Sequence, residues 1–156
     1  MPQIKLIAAI DYKRGIARGG RIPWDLPSDK KHWHSHTLGQ TVIMGANTYE
    51  KLNKKFLSRR QPFVVTRDTK PLEVGEIINN LPAFLQNIRD DVWVIGGGQI
   101  FELALPHATE LYLTRVKGDF QCDVFFPEFE LKFKLQSQSE IMQENNINFR
   151  YEHWVK

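Results

Sequence analysis

Apolar residues run almost without interruption through the first segment of the chain, from Ile4 to Ile10. A strand that is buried on both faces, as in a parallel sheet, has this pattern. Similar short apolar runs recur, and each is followed by glycine, proline or polar turn residues. They predict further strands over residues 41–44, 62–66, 74–78, 92–95 and 109–116.

Helices are predicted between these strands, where turn residues are followed by apolar residues at the spacing of a helix. Pro27 suits the first turn of a helix, and Asp29 favours its positive end. Asn47 is expected to cap a short helix that reaches about Leu52. Two further helices are predicted over residues 80–88 and 99–105.

The end of the chain changes character, because apolar and polar residues alternate from Ile147 to Lys156. A period of two is typical of a strand with unlike faces. We expect this strand to pair with one near residues 131–137, with the return near Asn145 and Asn146. The whole pattern predicts one α/β domain over residues 1–156. It has a mainly parallel twisted sheet of about eight strands, helices on both faces and a C-terminal antiparallel hairpin.

Composition narrows the class of protein. The 156 residues are 42% hydrophobic and 25% charged, which excludes a disordered chain and a coiled coil. No apolar run approaches the ~20 residues of a membrane span, and the first residues lack the pattern of a signal peptide. With Cys122 as the one cysteine, the cytoplasm is the expected compartment. The net charge of +3 is dispersed, so no nucleic-acid-binding stripe is predicted.

Glycine marks the ends of two predicted strands, at 96–98 and at Gly45. Glycine lets the backbone approach a ligand, and a following helix offers free N–H groups that suit phosphate. A tight turn explains the run at 96–98 equally well, and a plain helix cap explains the residues from Gly45 to Thr48 better. Together, the two strand ends suggest a ligand with separated phosphates, such as a dinucleotide. Parallel sheets bind ligands at this edge.

Asp29 is the candidate for an acid that binds a ligand. The plainer interpretation of this residue is that its charge stabilises the start of the helix. Leu26 and Trp33 flank Asp29 at helical spacing, however, and a carboxylate in an apolar cleft needs a donor such as the amidine-like edge of a ligand.

Three arginines could bind a carboxylate or phosphate, although each is also consistent with a solvated surface charge; they are Arg59, Arg60 and Arg67. The i, i+2 spacing of His32, His34 and His36 does not predict a metal site. Cys122 has no base beside it in sequence and is expected to be inert.

Taken together, these segments resemble dihydrofolate reductase, the NADPH-dependent pterin reductase, over essentially the whole chain. The resemblance lies in the shared order and spacing of residues 6–9, 15–16, 22–27 with Asp29, 42–45 with Thr48, 94–98, 111–114, and Asp123 before 126–127. It implies the reduction of 7,8-dihydrofolate to 5,6,7,8-tetrahydrofolate for one-carbon metabolism. In that reaction a hydride passes from NADPH to C6 and a proton is delivered to N5.

The resemblance also implies roles for individual residues. Asp29 would bind the pterin ring with the support of Thr114, Trp24 would hold a water near Asp29, and Ile22 would sit on a loop closing over the nicotinamide. The implied substrate-binding residues are Ile7, Ala8, Asp29, Trp33, Leu52, Arg60, Ile95 and Thr114. The implied cofactor-binding residues are Ala9, Ile16, Ala17, Gly20, Arg21, Ile22, Gly45, Asn47, Thr48, Thr66, Arg67, Ile95, Gly96, Gly97, Gly98, Gln99, Ile100 and Phe101.

Several alternatives stay open. Arg60 grips the substrate's α-carboxylate if one residue is inserted before Phe56; otherwise Arg59 takes this role. Ala46 stands where many members carry a basic residue, so a preference for NADPH would depend on Arg67. A reductase of a ribosylated diaminopyrimidine in riboflavin synthesis and a non-catalytic nucleotide-binding module are the other functions considered. The expected partners are dihydrofolate and antifolates such as trimethoprim or methotrexate, without nucleic acid, membrane or metal, and the expected state is a monomer.

Overall fold

The centre of the fold is a nine-stranded sheet, described by a computed structural model that covers residues 1–156. Its strands are β1 (Ile4–Ile10), β3 (Thr41–Gly45), β4 (Gln61–Val65), β5 (Glu76–Ile78), β6 (Val92–Gly96), β7 (Glu110–Val116), β9 (Lys134–Gln138), β10 (Met142–Glu144) and β11 (Ile147–Val155). A second, two-stranded sheet joins β2 (Gly15–Ala17) to β8 (Val124–Phe125). The helices are α1 (Pro27–Thr37), α2 (Ala46–Lys51), α3 (Lys54–Leu57), α4 (Leu81–Gln86) and α5 (Gly98–Ala104), and a 3₁₀ turn covers Leu105–His107. None of these helices has the length and hydropathy that crossing a membrane requires.

The order of the strands confirms the predicted architecture. The main path runs β10-β11-β7-β1-β6-β3-β4-β5, and β9 pairs with β11 beside β10. The pairs from β7 through β1, β6, β3 and β4 to β5 are parallel. The C-terminal strand β11 is antiparallel to β7, β9 and β10.

The two faces of the sheet explain why the first apolar run is continuous. Leu6 and Ile10 of β1 pack into a core with α4 and α5, whereas Ile7 packs on the opposite face with Tyr49 of α2 and Leu57 of α3. Because side chains of a strand alternate between faces, a strand covered on both faces has few polar positions. The predicted helices on both faces of the sheet are therefore confirmed.

Local expectations were wrong at several points. Asn47 does not cap α2: the helix begins at Ala46, Gly45 is the N-cap residue, and no side chain bonds to the cap. The four-residue helix α3 and the small β2–β8 sheet were not predicted. Ile88 lies beyond the end of α4.

The return before the last strand lies at the predicted residues, but the short strand β10 that precedes it was not predicted. Asn145 and Asn146, with φ of 53° and 62°, turn the chain from β10 into β11. Asparagine tolerates this left-handed conformation, which a two-residue hairpin needs. The strand predicted near residues 131–137 exists as β9 and pairs with the second half of β11.

Glu152 shows a limit of the alternating pattern in β11. It belongs to the polar set of that strand, yet it is only 4% exposed. Its carboxylate accepts hydrogen bonds from Arg115 Nη2 at 3.1 Å and from Trp154 Nε1 at 3.0 Å, and Arg150 Nε lies 3.1 Å away. Burial raises the pKa of Glu152, but the bonds from Arg115, Trp154 and Arg150 outweigh it and hold this pKa below its ordinary value.

Candidate active site

Asp29 and Thr114 meet at the centre of the candidate site. Asp29 is the third residue of α1, and Thr114 lies on β7, where it pairs with Ala9 of β1. The hydroxyl of Thr114 donates a hydrogen bond to Asp29 Oδ1 at 2.5 Å. Leu26 and Trp24 are buried with Val116 and Phe149, and this cluster fixes the start of α1 against β7 and β11. The structure therefore brings together the two residues to which the resemblance assigns one role.

The carboxylate of Asp29 is largely buried, and its surroundings shift its protonation. Burial raises the pKa of Asp29, the bond from Thr114 lowers it, and the nearby charge of Glu144 raises it; the net direction is upward. Glu144 itself accepts hydrogen bonds from Ser28 N at 3.0 Å and Ser28 Oγ at 2.6 Å, which fastens β10 to the start of α1. With Oδ1 occupied by Thr114, Oδ2 is the oxygen left for a ligand.

Apolar and aromatic side chains form a wall that α1 reaches through Trp33, four residues after Asp29. Ile7 of β1 and Ile95 of β6 are buried there, and Leu52 packs against the same cluster. The ring of Trp33 stacks on that of Phe56 with 5.0 Å between centroids and 9° between planes. A carboxylate beside such a wall binds a donor strongly, because water competes poorly for it.

Arg60 is held rigidly at the outer end of this wall. It is 6% exposed, whereas Arg59 is exposed to solvent. The guanidinium lies 3.5 Å above the ring of Phe56 and donates to Thr37 Oγ1 at 2.9 Å, Phe56 O at 3.1 Å and His34 O at 2.9 Å.

These three bonds use Nε and one N–H of each terminal nitrogen, out of five N–H groups. One N–H of Nη1 is left for a carboxylate, whereas Nη2 also lies within hydrogen-bond distance of a ring nitrogen of His34. His34 Nδ1 lies 3.5 Å from Nη2. Of the two arginines considered, Arg60 has the better geometry.

The two glycine-marked strand ends are neighbours, because β3 pairs with β6 in parallel and Met44 lies opposite Gly96. A Cβ on Gly97 would have Thr48 Oγ1 as its nearest neighbour, at 3.9 Å. Gly96 has a φ of 119°, which side-chain-bearing residues rarely adopt, and its peptide bond to Gly97 is cis. Backbone and a hydroxyl therefore line one open hollow at the carboxyl edge of the sheet.

The small β2–β8 sheet lies over the start of α5. A Cβ on Gly98 would come within 2.6 Å of Val124 Cγ1 and 3.9 Å of Ile16 Cδ1. Glycine at position 98 is thus required by this packing within the protein. Beyond β2 the loop is open to solvent: Gly19 and Gly20 have φ of 56° and 78°, and Ile22 is 63% exposed.

The remaining predicted cofactor residues divide into surface and core positions. Arg67 is exposed beyond the end of β4, and the hydroxyl of Thr66 accepts a bond from Asp68 N at 3.1 Å. Ile100 and Phe101 are buried in the core, with the ring of Phe101 4.9 Å from that of Phe126. Their side chains belong to the packing beneath the hollow. Ala17, Gly20, Arg21 and Gln99 lie at or near the surface around the β2 loop and the start of α5, and Ala8 packs against the core.

Sequence reasoning missed two acids that support the site. Glu144 gave no signal, because it reaches α1 from a strand 116 residues later in the chain. Asp11 did carry a signal: it directly follows an almost entirely apolar strand and precedes a glycine at 15, a pattern typical of an aspartate that binds its own turn.

The comparisons with known proteins agree on one family. A family model described as "Dihydrofolate reductase" matches residues 3–156. The chain is 32% identical over 149 residues to the dihydrofolate reductase of Enterococcus faecium, covering 90% of this chain and 89% of that protein. It is 36% identical over 128 residues to dihydrofolate reductase type 3 of Salmonella typhimurium, covering 81% and 79%. A solved structure, dihydrofolate reductase from Enterococcus faecalis complexed with NADP(H) and RAB-propyl, has the same fold: its TM-score is 0.86 at 23% identity, with 98% of this chain and 95% of that chain covered.

Proposed function

This chain belongs to the dihydrofolate reductase family, and from that premise we propose which of its residues carry the reaction. The enzyme reduces 7,8-dihydrofolate to 5,6,7,8-tetrahydrofolate with NADPH. The observation that carries the residue assignment is the bond from Thr114 to Asp29 Oδ1, which leaves a largely buried carboxylate with one free oxygen beside an apolar wall. Neither alternative function is favoured, since a bare nucleotide-binding module gives that carboxylate no task.

Asp29 is the proposed anchor of the pterin ring. Its free oxygen and the oxygen shared with Thr114 accept two donors from the 2-amino group and N3 of the ring. Ile7 and Ile95 present their backbone carbonyls, with Ala8 beside them, and Leu52 and Trp33 supply apolar contacts.

At the other end of the wall, Arg60 binds the α-carboxylate of the substrate. The ring of Phe56 and the acceptors on α1 and α3 hold its guanidinium ready, so little side-chain freedom is lost on binding.

The residues at the carboxyl edge of the sheet fit NADPH. The hollow at Gly97 and Thr48 leaves room where a side chain would otherwise stand, and Arg67 presents an exposed cation beyond β4. Three strand spacings, about 14 Å, separate β1 from β4, so this edge is long enough for an extended dinucleotide. When bound, NADPH supplies the hydride.

The proposed binding residues divide along this edge. Gly45, Asn47 and Thr48 hold phosphate, together with the backbone of 96–98, and Thr66 and Arg67 hold the adenosine end. Ala9 and the β2 loop, with Ile16 and Ile22, lie towards the nicotinamide end.

The proposed role of Asp29 is to orient the ring. Its negative charge favours the protonated pterin, and a water beside Trp24 is the immediate proton donor to N5. The loop of residues 15–25 excludes other water when it closes, because Gly19 and Gly20 give it freedom to move. We also propose that the 156 residues act as one domain, as a monomer, in the cytoplasm; the free thiol of Cys122 agrees with a reducing compartment.

The decisive assay follows NADPH oxidation by the purified chain with dihydrofolate, with and without trimethoprim. We expect turnover with dihydrofolate and inhibition by trimethoprim, whose diaminopyrimidine offers Asp29 the donors that the pterin does. Turnover with a ribosylated diaminopyrimidine in place of dihydrofolate would reject the assignment. Cofactor binding without turnover on either substrate would reject enzyme function altogether.

A further inference from the structure

Asp11 is a buried carboxylate that the reaction described above does not use. It follows β1 directly and is 1% exposed. Its Oδ1 accepts hydrogen bonds from Gly15 N at 2.7 Å and from Lys13 N at 2.9 Å, while its Oδ2 accepts one from Phe120 N at 3.1 Å. One side chain therefore binds three backbone groups on two segments that lie more than 100 residues apart.

The first segment bound by Asp11 leads directly to the cofactor edge. Gly15 begins β2, and the next residue, Ile16, approaches the start of α5 at Gly98. A Cβ on Gly15 would lie 2.4 Å from Cys122 Cβ and 2.9 Å from Asp11 Oδ1, so the two segments touch at this point. Small movements of Gly15 are therefore transmitted to Ile16 and to the loop that follows it.

The second segment carries the partner of β2. From Phe120 the chain continues through Cys122 to Asp123, whose Oδ2 accepts a bond from Gly19 N at 2.9 Å, and then into β8, which pairs with β2. The ring of Phe120 packs edge-on against Trp24, with 5.2 Å between centroids. Asp11 is thus bonded to the base of both segments that form the roof over the start of α5.

We propose that Asp11 is a positioning residue for cofactor binding: its bond to Phe120 N fixes the segment of residues 118–125 against the segment of residues 11–17, and so sets the height of Ile16 and the β2 loop above the cofactor edge. The surface ion pair between Lys13 and Asp119 joins the same segments at 3.0 Å, but both of its side chains are exposed. Such a pair contributes little and does not fix a position. The buried, charge-assisted bonds of Asp11 are stronger and directional.

Asp11→Asn separates this role from simple support of the fold. An asparagine keeps Oδ1 for Gly15 N and Lys13 N, so the local turn is retained, but it turns an N–H towards Phe120 N–H, where two donors oppose each other. The inference rests on the proposed site, so the experiment starts from steady-state kinetics of the wild-type chain with NADPH and dihydrofolate. Concentrations are normalised by titration of active sites with a tight antifolate. Lys13→Ala is the matched control, since it removes the exposed link between the same two segments.

We expect Asp11→Asn to raise the KM for NADPH about tenfold, as the loss of one charge-assisted hydrogen bond predicts, and to leave the KM for dihydrofolate within about twofold. Lys13→Ala should match wild type in both constants. A lower melting temperature with both KM values unchanged would mean that Asp11 only supports the fold and would overturn the proposal. An inactive wild-type chain would instead reject the proposed function.

A second measurement needs no variant and so survives a failure of Asp11→Asn to fold. Binding and loop order are linked reciprocally, so NADPH must stabilise the segments whose position favours NADPH. We expect saturating NADPH to slow hydrogen exchange of the Gly15 and Phe120 amides about tenfold. Unchanged exchange at both amides would contradict the proposal.

Discussion

Asp29→Asn is expected to lower activity and raise stability at the same time. In the proposed site the carboxylate accepts two charge-assisted hydrogen bonds from the pterin, and such bonds contribute about 1.5 kcal/mol each at the lower end of their range. Asparagine replaces one acceptor by a donor and removes the charge. The variant should therefore lose about 150-fold or more in kcat/KM for dihydrofolate at neutral pH.

The gain in stability follows from the direction of the pKa shift. Burial raises the pKa of Asp29 above its ordinary value of 3.8, so folding disfavours the ionised form. Below pH 3.8 the carboxyl is protonated in both the folded and the unfolded chain, so its burial does not lower the free energy of unfolding. The cost develops as the pH rises through 3.8 and is complete above the pKa of the folded state. Each unit of upward shift corresponds to about 1.4 kcal/mol of unfolding free energy at neutral pH.

Asparagine avoids this cost and still accepts the bond from Thr114. Urea unfolding of wild type and Asp29→Asn, at neutral pH and again below pH 3.8, measures the difference directly. The variant should be the more stable protein at neutral pH, and the two curves should converge in acid. A variant that is less stable at neutral pH would show that the carboxylate supports the fold, and near-normal turnover would show that it is not the pterin anchor; either result refutes the reasoning.

Three other variants test separate parts of the site and the fold. Arg60→Ala should raise the KM for dihydrofolate about 100-fold with little change in kcat, as the loss of a bidentate bond to a carboxylate predicts. Arg59→Ala is the control and should behave as wild type. The reverse result would assign the carboxylate to Arg59. Arg67→Ala should raise the KM for NADPH about tenfold and leave that for NADH unchanged, since only NADPH carries the extra phosphate; equal effects on both cofactors would contradict this role. Glu152→Gln should destabilise the fold by about 3 kcal/mol at neutral pH, because it leaves the Arg115 side of the buried cluster uncompensated. The pKa of Glu152 is lowered, so this stability is present above pH 4.5 and is lost as the pH falls through the folded-state pKa, and urea unfolding at acid pH should show the difference shrinking.

The parallel half of the sheet could be predicted because its signal is local. Continuous apolar runs identify strands that are covered on both faces, and glycine at Gly45 and Gly96 marks where two of them end at the ligand edge. The resemblance then supplied what spacing alone does not, namely a ligand-binding role for the one acid on α1. Asp29 is one of several polar residues in that helix, and only its pairing with Thr114, 85 residues away, distinguishes it.

The features that escaped prediction depend on contacts distant in sequence. Helix α3 has four residues, too few for any periodicity to develop. The burial of Glu152 arises because β11 is enclosed between β7 and β9 and its neighbours supply two guanidinium groups. The choice between Arg59 and Arg60 was open because it depends on whether one residue is inserted between Leu52 and Phe56, where the chain passes from α2 into α3.

The central place of β1 has a consequence for the synthesis of the protein. Gln3 bonds to Asp91, 88 residues further on, and Ile4 bonds to Thr109, 105 residues further on. At about 5–20 residues per second, the first strand therefore waits on the order of 5–20 s for its neighbours to leave the ribosome. Contacts of such separation also fold slowly. During that interval neither folate nor nucleotide has a finished pocket to enter, so the ligands cannot stabilise the nascent chain until its last strands have joined the sheet.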